Sequence, residues 1–483
     1  MNAFHSVLVK VFIGCTVGFV CLNASAQSIE AEQESLSKWP SFLNGAVSCE
    51  LSPNLPIAWA PEEEAWRLDL TGTGQSSPIA WIDSIYVTTI DGPNKDQCIV
   101  TSIDAHSGKK KWEWSIASTA PFENSHYVSR AAPTPACDAQ GVYAFFESGD
   151  VVAITPEGKQ TWKRSLSQEY GKFQNEFGLG SSVAQSDTAI FILIDHSAES
   201  YIVALDKSDG KTLWKVDRGV RGQSYASPVC WRIGAKEQVV VSSAGSVDGY
   251  DALTGAAAWS FKDVGGNTGA TPILQDDGRF LLSSRTGAGS GGRPRAGANS
   301  AAEKTEPTAR PIGDGPVAAP PSAIPESGNA SKTNLLARMV ESSGEMPLQV
   351  EWISPKAKGS LCSPLLHQGF AYFQSSAGVV YCVDAASGEL CYEKRIPCGA
   401  CWASPIAVGN RVYFFGNRGS TTVLEVGRDY KELVATNRLW TPSENESPMA
   451  GRDGPTHYAT IAWNDSLIMR TGETVFCFRR KKD

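Results

Sequence analysis

The residues whose spacing could do chemistry are Cys398 and Cys401, in the run CGACW. Two thiols two residues apart can act as a redox dithiol, close a local disulfide or remain structural. No His follows Cys401, which excludes covalent haem attachment. The six His are scattered without metal-ligand spacing, so no metal site is expected. The chain has no nucleophile elbow and no phosphate loop. These residues lean away from an enzyme without deciding the matter.

The elements that position these groups follow from composition. The chain has 483 residues, 42% apolar and 19% charged, with 45 Gly and 27 Pro, as a turn-rich all-β protein would have. A net charge of −8 gives no basic footprint for nucleic acid or an anionic membrane. Lys10, the apolar run Val11–Leu22 and the small residues Ala24 and Ala26 read as an export signal cut after Ala26. The run is too short to span a bilayer, and neither FIGC nor GFVC is a convincing lipobox. A soluble mature chain in the periplasm or cell envelope is therefore expected. Removing Cys15 and Cys21 leaves ten Cys, most of them in strand-like runs where Cys is a small buried hydrophobe.

A repeat of about 45 residues dominates the rest. Its second half is D-x-x-x-G-x-x-x-W, at Asp104, Gly108 and Trp112, at Asp206, Gly210 and Trp214, at Asp251, Gly255 and Trp259, and at Asp384 and Gly388 with Tyr392 in place of Trp. A shorter copy ends at Trp162. Its first half is a small residue and Pro, followed eight positions later by an aromatic, as in Pro78/Tyr86, Pro135/Tyr143, Pro272/Phe280, Pro364/Tyr372 and Pro405/Tyr413. Degenerate copies begin at Val183 and Thr460, and Pro228 opens a stretched one, which makes eight units. Asp can cap a tight turn, Gly can take positive φ, and Trp offers an apolar plate to the neighbouring sheet.

Four strands per unit predict an eight-bladed β-propeller of four-stranded antiparallel blades over 65–483, preceded by a lead-in over 27–64. The last unit, ending TVFCFRRKKD, stops where its outer strand should begin, and Trp66–Leu70 is an outer strand without a blade. Pairing the two closes the ring. Between Pro272 and Pro364 the repeat is interrupted by a Gly/Ala/Pro/Ser-rich segment, and a disordered insertion over 286–334 within blade 5 is expected. Trp352 then serves as that blade's docking Trp.

The copies IDAHSGKKKWEW, LDKSDGKTLWKV and YDALTGAAAWSF resemble the repeat of pyrroloquinoline quinone (PQQ)-like propellers, and WPSFLNG (Trp39 to Gly45) resembles the lead-in of exported BamB-like proteins. That family includes both PQQ-dependent alcohol dehydrogenases and a scaffold of outer-membrane protein assembly. The dehydrogenases typically carry a vicinal Cys-Cys disulfide, and this chain has no Cys-Cys pair. The resemblance thus implies a non-catalytic exported scaffold or binding protein with a protein partner, such as the outer-membrane assembly machinery, and no cofactor. The alternatives are a redox enzyme using PQQ with Ca²⁺, or a small-ligand or glycan binder. It also implies that residues just before each blade's first strand ring the axial mouth: Gln75, Arg130, Gln223, Tyr225, Asn267, Trp402 and His457.

Overall fold

The computed structural model describes residues 34–46, 54–124, 128–234, 236–243, 245–265, 269–284, 332–340, 348–359, 361–441 and 455–480. The export signal and the expected insertion up to residue 331 lie outside these residues. The strand Leu335–Met339 of blade 5 is preceded by buried Thr333 and Asn334, so the blade is rejoined ahead of the expected edge.

Eight antiparallel sheets follow one another along the chain. Blade 1 comprises Ile79–Trp81, Ser84–Asp91, Gln97–Asp104 and Lys110–Ala117, and this order recurs through blade 7, which ends at Glu432–Arg438. Blade 8 has Ala459–Trp463, Ser466–Arg470 and Thr474–Arg479, and its fourth strand is Trp66–Asp69. Trp66 pairs with Cys477 and Leu68 with Val475, which closes the ring as the half-units require.

The repeat's residue types have direct physical roles. Asp104 Oδ1 accepts from Ser107 N at 2.8 Å and from its hydroxyl, and these bonds hold the carboxyl below the usual carboxylate range. Gly108 then sits at φ 71°, where a Cβ would come within 2.6 Å of the Trp66 ring. That Trp belongs to the preceding blade, and its Nε1 donates to Ala105 O at 3.1 Å. Gly255 and Gly388 repeat the arrangement at φ 73° and 75°: a Cβ on Gly255 would come within 2.7 Å of the Trp214 ring, and one on Gly388 within 2.6 Å of Trp352. The turn thus does more than the spacing alone required of it. Gly255 and Gly388 are needed for positive φ and also as seats for a ring, and that ring comes from the blade before rather than from the Trp or Tyr four residues on in the same copy.

Trp112 docks likewise on Pro156 O, Trp162 on Lys207 O, Trp214 on Ala252 O and Trp352 on Ala385 O. Trp259 departs from the rule and donates to Gln238 Oε1 of its own blade. In blades 1 to 7 the register between the third and fourth strands slips by one residue, and in blades 1, 2, 3 and 5 this bulge lies beside the Trp that docks on the next blade.

On the axial side a second belt ties the blades together. Ser77 N donates to Thr134 Oγ1 (2.8 Å), Thr134 N to Ser182 Oγ (3.1 Å), and Ser182 N to Ser227 Oγ (3.0 Å). Ser227 N then donates to Thr271 Oγ1 (2.9 Å), Thr271 N to Ser363 Oγ (3.0 Å) and Ser363 N to Ser404 Oγ (3.0 Å). Each bond contributes about 1 kcal/mol net, and breaking one would leave a buried amide unsatisfied.

The lead-in lies inside the ring. Lys38–Trp39 pairs with the innermost strand of blade 1, placing Trp39 against Ala80. Leu36 O accepts from Asn464 N of blade 8, and Pro40 O from Cys137 N of blade 2 and from the Gln185 side chain of blade 3. Leu43 packs on the core shared by blades 4 to 6. This segment fills part of the axial channel.

Candidate functional site

The mouth opposite the lead-in is built around Arg130. Its backbone is held twice by Gln75: Gln75 N donates to Arg130 O at 2.9 Å, and Arg130 N to Gln75 Oε1 at 3.0 Å. The following residue, Ala131, takes a left-handed φ of 46°, and its N–H is clamped by both carboxylate oxygens of Glu147 at 3.1 Å. Glu147 is in turn paired with buried Lys95 at 3.0 Å. So fixed, the Arg130 guanidinium donates to Tyr458 OH at 3.1 Å, and Tyr458 lies 5.5 Å from the Trp402 ring. Trp402 remains 45% exposed. The arrangement offers a cation, a phenol and an aromatic face to an approaching group.

Gln75, Arg130 and Trp402 thus converge through Tyr458, which sequence reasoning missed. Its signal was weak: blade 8 lacks the repeat's Pro, and Tyr458 stands one residue past the expected position. The residue at that position, His457, turns inward instead. It is fully buried, its Nε2 donates to Ala459 O at 3.1 Å, and burial pulls its pKa down to about 4. Gln223 and Tyr225 form a separate pair: Tyr225 OH donates to Asn175 Oδ1 at 2.8 Å and to Gln223 Oε1 at 3.1 Å, and burial pushes its pKa up to about 12. Asn267 lies outside the described residues.

Two cavities adjoin the mouth. The axial one, about 130 Å³, lies between the lead-in residues Trp39, Phe42 and Leu43 and blades 5 to 8, with Trp402 and Tyr458 in its wall. The other, about 410 Å³, opens among blades 1 to 3 with Lys95, Glu147, Phe122 and Asn175 in its lining. The repeat's Asp, Gly and Trp residues line neither cavity, Gly255 and Gly388 included. Cys398 and Cys401 are buried, their sulfurs 3.9 Å apart. None of the nine cysteines among the described residues forms a disulfide.

Among the described residues no Arg, Lys, Asp or Glu lines the axial cavity, and the cation of Arg130 reaches Tyr458 in its wall. Among the described residues no group of three His, Cys, Asp or Glu is placed to hold a metal, and no helix is long and apolar enough to cross a membrane.

Comparison with solved structures shows the fold. BamB from Moraxella catarrhalis matches with a TM-score of 0.54 and 13% identity, covering 87% of this chain and 98% of its own. The quinohemoprotein alcohol dehydrogenase from Comamonas testosteroni matches at 0.53 and 11%, covering 95% of this chain and 83% of its own. No match was found among curated proteins. The sequence profile described as outer membrane protein assembly factor BamB matches residues 56–176 and 171–389. With that profile on most of the chain and eight blades in the ring, the protein belongs to the PQQ-like β-propeller family.

Proposed function

We propose that the protein is a non-catalytic scaffold of the cell envelope that binds a protein partner through its axial mouth. The observation that carries this reading is the lead-in: a channel strapped at one end by the chain's own Lys38–Trp39 strand is part of the framework. The opposite mouth presents Arg130, Tyr458 and Trp402 on a rigid base, as interface anchors require. The family's description as an outer-membrane assembly factor favours an assembly component as the partner class. Export, read from the N-terminal sequence, belongs to the same proposal.

A photoreactive amino acid placed at Trp402, in cells making the full chain, tests it. Leu253, 81% exposed, provides the control position. One envelope protein should crosslink from the Trp402 position and not from Leu253, and Arg130→Ala should reduce that adduct about tenfold, the loss of one anchoring contact. Absence of any adduct at the mouth, or saturable binding of PQQ with Ca²⁺ accompanied by alcohol oxidation, would overturn the scaffold reading.

A further inference from the structure

We infer that Cys398 and Cys401 form a reversible thiol–disulfide exchange site whose co-reactant is a small-molecule disulfide. The pair sits on the connection between blades 6 and 7, in a turn closed by Gly399 N donating to Ile396 O at 3.1 Å, with Gly399 at φ 74°. The sulfurs are 3.9 Å apart, and a disulfide needs about 2 Å, a gap that side-chain rotation can close. Cys398 N is anchored to Thr422 Oγ1 at 3.0 Å, and Gln374 Nε2 donates to Cys401 Sγ at 2.8 Å. The turn leads directly into exposed Trp402 at the mouth.

The two sulfurs are not equivalent. The Cys401 thiol hydrogen-bonds to Cys398 and, with Thr422, lowers the Cys398 pKa from the ordinary thiol value, whereas burial raises that of Cys401. Burial likewise pushes up Cys98, Cys137, Cys230, Cys382, Cys391 and Cys477. Cys398, the less buried of the two at 6% exposed against 3%, is the attacking sulfur, and Cys401, whose sulfur also accepts from Gln374, is the resolving one. The Cys398 thiolate attacks one sulfur of a disulfide RSSR, a Cys398–SR bond forms, and RS⁻ leaves. Cys401 loses its proton and attacks the Cys398 sulfur, and the second RS⁻ leaves. The protein loses two electrons and two protons, and RSSR becomes two RSH.

The full chain, purified under reductant, is equilibrated with mixtures of oxidised and reduced glutathione, quenched with an alkylating reagent and mapped by mass spectrometry. Oxidising mixtures should give a Cys398–Cys401 disulfide and the loss of two alkylated thiols, reversed by reduced glutathione. Cys401→Ser should retain glutathione on Cys398, and Cys398→Ser should retain none on Cys401. Alkylation of both cysteines at every ratio would overturn the inference, as would a Cys362–Cys401 bond, since Cys362 Sγ already donates to Cys401 O at 2.9 Å. The wild-type map decides the question even where a variant folds poorly.

Discussion

Single residues in this molecule act mostly through what an added atom or proton would meet. Gly210 sits at φ 73° with a prospective Cβ 2.6 Å from the Trp162 ring, whereas Gly222, at φ 72°, has nothing within 4 Å. Gly222→Ala should lose about 1 kcal/mol, the cost of left-handed backbone, and Gly210→Ala about 2–4 kcal/mol, because docking is lost as well. Urea denaturation of the two variants measures the difference, and equal losses would reject the docking role. His457 gives a pH prediction. Its pKa is about 4 in the folded protein against an ordinary 6.5, so above pH 6.5 both states are neutral. As pH falls from 6.5 to 4 only the unfolded chain takes up the proton, and stability drops by about 3 kcal/mol. His457→Gln should flatten that part of the stability–pH curve, and an unchanged slope would place the buried proton site elsewhere.

At the scale of elements, the closing strand and the lead-in can be separated. A chain beginning at residue 54 lacks the axial strand Lys38–Trp39 but keeps Trp66–Asp69, and one beginning at residue 71 lacks both. The second should melt far lower and aggregate, because Thr474–Arg479 then presents an open edge and the Trp66 ring leaves Gly108. A loss of similar size in both would shift the closing role to the lead-in. The first truncation tests the axial strap itself, since it removes the Pro40 carbonyl that Cys137 N and Gln185 share.

For the whole molecule, two concentric belts make the blades interdependent: Trp rings docked toward the outside and Ser/Thr hydroxyls bonded along the axis. Far-ultraviolet dichroism and Trp fluorescence should therefore report one coincident urea transition. Thr134→Val keeps the side-chain shape but strands the Ser77 amide, and should lower the whole transition by about 1–3 kcal/mol without splitting it. Separate transitions for the two probes would show that blades unfold independently.

The sequence by itself determined the blades, because their information is local. Asp, Gly and Trp at fixed spacing specify a turn and a docking plate within nine residues, and a missing outer strand at one end matches a spare one at the other. Which ring each turn receives was not local: Gly255 meets Trp214 and Gly388 meets Trp352, each from the blade before. The small residue before Pro was equally legible, though its hydroxyl's bond to the next blade was not. Tertiary structure alone decided what depends on residues distant in the chain. Arg130 meets Tyr458 across 328 positions, and buried Arg470 of blade 8 donates to Ser76 O and Thr88 O of blade 1. Arg218, also buried, ties Asp195 of blade 3 to Asp248 of blade 4. His457 turns inward although its register matches that of exposed Trp402. No periodicity encodes these choices, because they follow from which side chain finds room and partners once the ring has closed around its own lead-in.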